Sequence, residues 1–323
     1  MKPLGRRVFA ASAVALAATG AVRADNYPSK PIRIVVPISA GSTTDVVARI
    51  IADNLRQSMG QPVIVENRPG AGGTIGSATV AKAPGDGYTL MIVSSAHTAN
   101  PAIYSALPYD TLADFKGVTM LTAMPNILVT APSTGIKSVA DLVARAKEKP
   151  GQITYGSGGV GSAAHMNAEQ FRAMAGIEGL HVPYRGTPEM MADLIAGRTD
   201  FAFISVVSVL GAIRDGRLAA LACGTDQRSR LLPEVPTTVE AGVPNSSYNV
   251  WLGLFAPGTT PPAIVDKLNR EAVVVLRNPE ITEKLAKLGA DIAPMAPTQF
   301  DAHVAKEMVV IKELVKTAKI PTN

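Results

Sequence analysis

The alternation of strand-like and helix-like stretches is the feature of this 323-residue chain that most restricts its fold. Such alternation is typical of parallel strands joined by crossover helices. The predicted strands cover residues 32–37, 63–66, 88–94, 152–155, 180–183, 200–205 and 218–223. The predicted helices cover residues 44–58, 73–82, 139–148, 162–175, 188–196 and 206–215, followed by 262–276, 279–287 and 299–317 in a helical C-terminal third.

Two segments have the pattern of crossings between domains. In residues 115–131 two strand-like runs meet around Met124-Pro125-Asn126, and residues 250–256 form an apolar strand followed by PGTTPP. If the chain leaves the first domain at one segment and returns at the other, two hinges join two lobes around a ligand cleft. The predicted division is a signal peptide over 1–24, lobe 1 over 25–122 plus 251–323, and lobe 2 over 123–250.

The N-terminus has the pattern of an export signal. Lys2, Arg6 and Arg7 precede an apolar run over residues 8–22, which is shorter than the roughly 20 residues that span a bilayer. Small residues at Val22 and Ala24 predict cleavage after Ala24 and a periplasmic location in a Gram-negative cell. The adjacent Arg6 and Arg7 leave both the Sec and the twin-arginine export routes open.

The formal charge of +5 comes mostly from this signal, because residues 1–24 contain four basic and no acidic side chains. The remaining 299 residues (323 minus 24) are therefore near +1 (5 minus 4), which does not favour nucleic acid as a partner. Cys223 is the single cysteine, so no internal disulfide forms, and it is predicted to be a small buried residue. We expect a monomer.

The stretch YGSGGVGSAAHMNAEQF contains the G-x-G-x-x-G spacing of a dinucleotide-binding turn, beginning at Gly156. Such a site also needs an acidic residue at the end of the next strand, but that strand ends in Tyr184 and Arg185. A glycine loop that opens a helix also presents unpaired N–H groups and a partial positive charge to an anion. Anion binding is therefore the favoured interpretation, with helix capping as the alternative for Ser162. The predicted contacts are Ser157, Gly158, Gly159, Gly161 and Ser162.

A second loop of this kind follows the first predicted strand. Gly41 permits a tight turn, and Ser42-x-x-Asp45 has the form of a capping box with Asp in place of Glu. A routine capped helix start is the alternative. Two hydroxyl-rich loops, one in each lobe, would together clamp one anionic group without a cationic side chain. The predicted loop covers residues 38–43.

Sequence signatures of enzymes are missing from the chain. It contains no G-x-S-x-G nucleophile turn and no Gly-Lys dipeptide of a P-loop, and its four histidines have no metal-binding spacing. His165 is interpreted as a packed or capping residue. No catalytic residue, metal or cofactor is predicted.

Five stretches identify a family. PISAGSTTDVVARIIADNL, GQPVIVENRPGAGGTIGSATVAKAPGDGYTL, YGSGGVGSAAHMNAEQF, HVPYRGTPEMMADLIAGRTDF and LPEVPTTVEAGVP occur in the order and spacing of the tripartite tricarboxylate transporter receptors, also called Bug-type solute-binding proteins. The chain resembles this family over essentially its whole length after the signal. The resemblance implies an α/β periplasmic binding protein of the two-lobed Venus-flytrap kind, type II-like. Each lobe would contain a mixed, mostly parallel sheet flanked by helices, with two hinge crossings.

The resemblance also implies where a ligand binds. In this family the loop after the first strand and its counterpart in the second lobe hold a carboxylate through backbone amides, hydroxyls and bridging waters. Here these loops are residues 39–44 and 157–162, and the predicted contacts of the first are Ser39, Gly41, Ser42, Thr43 and Thr44. The distal part of the pocket would be shaped by Ser94, the loop up to His97, and Ser205. The family usually has Phe, Pro and Gly where this chain has Ile38, Ala40 and Ser42, and an Asp or similar residue at Ser205. Ligand preference is therefore not inherited from a relative.

The predicted function is a periplasmic receptor for a small organic carboxylate, which is a mono-, di- or tricarboxylate, aliphatic or aromatic. It would serve the membrane components of a tripartite tricarboxylate transporter, or a sensor kinase. One alternative is an exported α/β enzyme, a hydrolase or transferase acting on a small anionic substrate, which turnover would distinguish. Another is a binding protein of a different importer class with cationic or neutral ligands, although the two loops contain few acidic residues.

Overall fold

The computed structural model describes residues 27–38, 40–184, 186–317, 320 and 322. The predicted signal peptide and Ser39 lie outside the described residues. The strands are β1 (Ile32–Val36), β2 (Val63–Asn67), β3 (Thr89–Ser94), β4 (Phe115–Met124), β5 (Asn126–Thr130), β6 (Thr154–Ser157), β7 (Leu180–Pro183), β8 (Phe201–Ser205), β9 (Ala219–Cys223), β10 (Val250–Pro257) and β11 (Asp291–Ile292). The helices are α1 (Thr43–Met59), α2 (Thr74–Ala81), α3 (Ala96–Ile103), α4 (Val139–Glu148), α5 (Ala163–Ala175), α6 (Thr187–Ile195), α7 (Val206–Arg214), α8 (Pro262–Arg277), α9 (Pro279–Lys287) and α10 (Pro297–Thr317).

The first lobe is built on a six-stranded sheet in the order β11-β4-β10-β3-β1-β2. Strands β1 to β4 run in one direction, and β10 and β11 run against them. Successive side chains of a strand point to opposite faces. Accordingly, Ile34 and Val36 join the core that contains α1 and α8, while Val35 joins the cluster around Trp251 and Phe300 on the other face.

The second lobe is built on a five-stranded sheet in the order β7-β6-β8-β5-β9, with only β5 running against the others. Strand β8 is buried on both faces. Phe201 and Phe203 pack on the side of α4 and α5, and Ala202 and Ile204 pack on the side of α6 and α7. Both sheets are thus mixed, mostly parallel in strand direction and covered by helices, which confirms the predicted α/β two-lobed fold.

The chain changes sheets at two places. Strand β4 ends at Met124 and β5 begins at Asn126, so Pro125 alone joins the two sheets on the first crossing. The second crossing runs from the end of β9 to Val250. Gly224 links the two crossings, because its N–H donates to the Asn126 carbonyl at 2.8 Å and its own carbonyl accepts from the Tyr248 N–H at 2.7 Å.

Helix α3 and the two-residue strand β11 are the elements missing from the sequence-based prediction. Residues 94–97 were expected to form a loop, but α3 begins at Ala96. Pro101 lies inside α3, and a proline in a helix interior removes a backbone donor and argues against a helix in the sequence. The side-chain Oγ1 of Thr98 donates to the Ser95 carbonyl at 2.6 Å and supports the helix start.

A buried carboxyl group joins α10 to α3 and β10. Glu307 Oε2 lies 2.8 Å from Thr98 Oγ1 and 2.9 Å from Trp251 Nε1. Burial raises the pKa of Glu307 to about 7, against the opposing effect of these hydrogen bonds. The Thr98 hydroxyl has a single hydrogen, which it shares between the Ser95 carbonyl and Glu307. A protonated Glu307 satisfies both contacts by donating to Thr98 Oγ1.

Glu307→Gln is expected to flatten the pH dependence of stability. Because the pKa is raised in the folded state, the Glu307 contribution is complete below the ordinary pKa of 4.5 and is lost as pH rises through about 7. The variant should therefore gain stability relative to the parent between pH 5 and pH 8.5, by roughly 2 kcal/mol. Urea unfolding across this range measures the difference. Glu313→Gln, at an exposed position of the same helix, is the control, and a pH-independent difference for Glu307→Gln would contradict the raised pKa.

Candidate functional site

Helix α1 opens with a loop closed by its own first turn. The Gly41 N–H donates to Asp45 Oδ2 at 2.9 Å, and the Asp45 N–H donates to Ser42 Oγ at 3.2 Å. Gly41 has a φ of +80°, a conformation that side-chain-bearing residues rarely adopt. Arg49 and Asn67 also bind the Asp45 carboxylate, each at 3.0 Å. Ser42 is therefore a helix cap, as the alternative interpretation proposed.

Helix α5 opens with the same arrangement. The Gly161 N–H donates to His165 Nδ1 at 3.1 Å, and the His165 N–H donates to Ser162 Oγ at 3.2 Å. Gly161 has a φ of +77°, close to that of Gly41. The sequences Gly-Ser-x-x-Asp and Gly-Ser-x-x-His thus build the same closed turn in the two lobes. His165 has the packing and capping role predicted for it.

These closed turns determine which donors are free for a ligand. Gly41 and Gly161 use their N–H groups internally, whereas the N–H groups of Thr44, Ala163 and Ala164 enter no hydrogen bond among the described residues. First-turn N–H groups have no partner within their own helix, and the helix N-terminus has a partial positive charge. Because Ser162 Oγ only accepts from His165, its hydroxyl hydrogen can be donated as well. The two helix starts together offer donors to an anion.

A network of buried polar side chains holds the loop over residues 157–162 on the side away from the cavities. Ser157 Oγ lies 2.7 Å from His181 Nε2 and also contacts the Gly159 carbonyl and N–H. The rings of His181 and His165 stack with centroids 3.9 Å apart. Burial, with the nearby His181 and Arg172, lowers the pKa of His165 to about 3. A neutral imidazole is what the Gly161 hydrogen bond requires, since only an unprotonated Nδ1 can accept.

A cavity of about 430 Å³ lies between the lobes and is bounded by both loops. The first lobe contributes Ile38, Thr44, Gly73 and Ser94, together with Asn100 and Tyr104 from the region of α3. The second lobe contributes Gly158, Val160, Gly161 and Ser162. We call this space the large cavity.

A second cavity of about 270 Å³ adjoins the first, because Gly158 and Ser162 line both. We call it the small cavity. Its polar lining comes from Thr43, Asn126, Thr187 and Ser205, and its apolar lining includes Met190 and Phe203. No described residue lining either cavity has an ionisable carboxyl, amino, guanidinium or imidazole group. Arg185 precedes Gly186 in the sequence and is not among the described residues.

Seven of the predicted ligand contacts line these cavities. They are Thr43, Thr44, Ser94, Gly158, Gly161, Ser162 and Ser205. Gly41, Ser42 and Gly159 lie in the loops behind this lining, and Ser39 lies outside the described residues. The contact of each residue with a ligand remains a prediction.

His97 and Ser157 differ from the other predicted contacts, because their side chains are fully buried and neither residue lines the two cavities. The His97 ring packs in lobe 1 against Tyr109, Phe115 and Phe255, and burial lowers its pKa to about 3. The Ser157 hydroxyl is engaged by the loop and by His181. His97 therefore supports the core, and Ser157 positions the loop.

The sequence analysis assigned no site role to several lining residues. Gly72 and Gly73 belong to VENRPGAGGTIG, which served only as a family motif, although a run of glycines directly before a predicted helix was a usable signal. Asn126 was noted only as part of a crossing. Asn100 and Tyr104 could not be placed because α3 was not predicted.

The described part of the chain contains no cluster of three or more His, Cys, Asp or Glu side chains suited to a metal ion. Among its helices, none is long and apolar enough to cross a membrane.

The profile of the tripartite tricarboxylate transporter family receptor matches residues 47–320. The chain belongs to this receptor family. Protein BugT of Bordetella pertussis is 37% identical over 289 residues, covering 89% of this chain and 89% of BugT. These matches confirm the resemblance found in the sequence.

The fold matches the structure of periplasmic binding protein BugD with a TM-score of 0.76 and 30% identity, covering 92% of this chain and 100% of that one. The structure of Rpa4515 from R. palustris with adipate has a TM-score of 0.79 and 34% identity, and covers 92% of this chain and 100% of that one. The structure of MatC from Rhodopseudomonas palustris with bound malate has a TM-score of 0.75 and 30% identity, and covers 90% of this chain and 100% of that one.

Valine substitutions of glycines in the second-lobe loop of this receptor are expected to change stability by different amounts, because the backbone conformations of these glycines differ. A Cβ on Gly158 would meet nothing closer than the Thr187 backbone nitrogen at 3.9 Å, and φ there is not left-handed, so Gly158→Val should leave stability nearly unchanged. Gly161→Val should cost about 1–2 kcal/mol or more, because φ is +77° and its Cβ would lie 2.8 Å from Ile103 Cδ1. Urea unfolding without ligand measures both.

Gly211→Val provides the matched control, since Gly211 lies on α7 in open space, away from the cavities. Equal destabilisation by the Gly158 and Gly161 variants would contradict the difference in loop geometry.

Proposed function

We propose that this protein is a periplasmic receptor that captures a small organic carboxylate for a tripartite tricarboxylate transporter. The observation that supports it most strongly is the pair of closed helix starts, one per lobe, beside cavities whose described lining is uncharged. The donors would be the Ser162 hydroxyl and the N–H groups of Thr44, Ala163 and Ala164, which enter no hydrogen bond among the described residues. The carboxylate would sit where the two cavities join, at Gly158 and Ser162.

The chemistry of these donors favours an anion over a cation or a neutral solute. Each helix N-terminus has a partial charge of roughly +0.5, and exposed N–H groups bind carboxylate oxygens without a cationic side chain. A cationic ligand would need acceptors, and the lining contains no carboxylate among the described residues. The adipate and malate in the two related structures are also small carboxylates.

A receptor is favoured over an exported hydrolase or transferase because the described lining residues include no nucleophile paired with a base. A nucleophile needs a neighbouring base, but the histidines nearest the loop, His165 and His181, lie beneath it and are engaged with Gly161 and Ser157. Overnight incubation with any ligand that binds, followed by mass spectrometry, tests this, and conversion of the ligand would support the enzyme.

The two lobes are proposed to close around the ligand. The proposed division is 25–122 plus 251–323 against 123–250, with the hinges at the two crossings linked through Gly224. Solution scattering with and without ligand measures the closure as a decrease in the radius of gyration.

The exported protein is expected to begin at Asp25. Residues Val22-Arg23-Ala24 end the apolar run with small residues at the positions that a signal peptidase reads. Intact-mass measurement of the periplasmic fraction decides the cleavage site. Full-length protein found in the membrane fraction would contradict periplasmic release.

Carboxylates are expected to stabilise the protein where their amides do not. At 100 times its dissociation constant a ligand raises the free energy of unfolding by about 2.7 kcal/mol. At least one acid of a panel of mono-, di- and tricarboxylates, aliphatic and aromatic, should give such a shift in thermal unfolding. The corresponding amide should give none, because it lacks the negative charge that the helix ends favour. NAD should also give none.

Gly158→Val and Ser162→Ala connect this effect to the proposed site. The valine places a branched side chain where the cavities join and should abolish the shift while the protein stays folded. Ser162→Ala removes one hydrogen bond and should weaken affinity by up to about tenfold. Gly211→Val again serves as the control. Full carboxylate binding by Gly158→Val, or stabilisation by NAD alone, would refute the proposal.

A further inference from the structure

Four helix N-termini border the small cavity. Thr43 is the first residue of α1, Ala163 the first of α5 and Thr187 the first of α6, while Ser205 immediately precedes α7. These helices have 17, 13, 9 and 9 residues. At roughly half an elementary charge each, the four ends together offer about two positive charges. This is twice what a single carboxylate needs.

Two of these helices begin without a side-chain cap. Neither Gly186 before α6 nor Ser205 before α7 provides a capping hydrogen bond. The side chains of Thr187 and Ser205 line the cavity, and their hydroxyls form no hydrogen bonds within the described part of the chain. The hydroxyls of Thr187 and Ser205 are thus available to donate to a group bound in the small cavity.

Asn126 is an independent sign that a polar group belongs in this cavity. It lines the cavity at the start of β5 and is only 5% exposed. Its Nδ2 has no hydrogen-bond partner among the described residues, whereas its backbone carbonyl is occupied by the Gly224 N–H. Buried amides are almost always hydrogen-bonded, because an unpaired one loses its water without compensation. A ligand acceptor would satisfy Asn126.

We propose that the small cavity binds the second acidic group of a dicarboxylate and that Asn126 is the residue that selects for it. This inference rests on the proposed function, in which the first carboxylate sits where the cavities join. The second carboxylate would accept from Asn126 Nδ2 and from the hydroxyls of Ser205 and Thr187. The four helix ends balance the two negative charges, and Met190 and Phe203 enclose the carbon chain.

The test compares acids of equal carbon number that differ in the second carboxylate, adipate against hexanoate and succinate against butanoate. Isothermal titration calorimetry at pH 7.5 gives the affinity ratio within each pair. The parent should bind one of the diacids at least tenfold more tightly than its partner. Asn126→Leu, which is similar in size but has no donor, should reduce that ratio to about threefold or less by weakening the diacid.

Asn100→Leu is the matched comparison. Asn100 is also a buried asparagine, 4% exposed, but it lines the large cavity and its Nδ2 contacts the Gly72 carbonyl and Tyr109 hydroxyl. The ratio of diacid affinity to monoacid affinity should be the same in Asn100→Leu as in the parent. A ratio that falls in Asn100→Leu and not in Asn126→Leu would put the second carboxylate in the large cavity and overturn the inference.

The remaining outcomes are also decisive. Equal binding of diacid and monoacid by the parent overturns this inference and leaves the proposed function standing. Failure of the parent to bind any carboxylate of the wider panel overturns both. If Asn126→Leu does not fold, Ser205→Ala tests another donor of the small cavity. Loss of one hydrogen bond should decrease the affinity ratio two- to tenfold. An unchanged ratio counts against the inference.

Discussion

A hydrogen bond from a glycine N–H to the side chain four residues later is the interaction on which the cleft depends. It occurs once in each lobe, from Gly41 to Asp45 and from Gly161 to His165, at 2.9 and 3.1 Å. Each bond fixes a glycine with positive φ against the first turn of its helix. The N–H groups that follow, those of Thr44, Ala163 and Ala164, enter no hydrogen bond among the described residues and belong to residues that line the cavities. The proposed binding surface therefore has the same geometry on both of its sides.

The two acceptors differ in charge, but both loops stay electrically balanced. Burial alone would raise the pKa of Asp45, but hydrogen bonds from Arg49, Gly41 and Asn67 outweigh it and lower that pKa, so the carboxylate is ionised and paired. His165 is kept neutral by burial. An unpaired carboxylate at either position would cancel the partial positive charge of the helix end. In the proposed function, the cleft therefore attracts anions through backbone dipoles.

The sequence predicted the architecture and the two loops because both follow from local patterns. Alternating stretches and glycine-serine helix starts are determined by neighbouring residues, and bounds such as Val139–Glu148 agree fully with the structure. Residues whose role depends on tertiary packing were missed or misplaced. The family resemblance placed His97 in a loop beside the pocket, whereas its ring is buried in lobe 1 after the start of α3. Asn126 was overlooked because its unpaired amide becomes apparent only when β5, β8 and the crossing at Gly224 pack together.

In the proposed function, the arrangement of helix ends would give the ligand a means of holding the lobes together. The N-terminus of α1 belongs to the first lobe, and those of α5, α6 and α7 belong to the second, so like partial charges face one another across the cleft. Bringing them together is electrostatically unfavourable when nothing lies between them, and the described lining provides no carboxylate to offset it. An anion between them turns that repulsion into two attractions. Closure and recognition of a carboxylate would then have the same physical cause, and a neutral ligand of the same shape would fill the cavities without favouring the closed state.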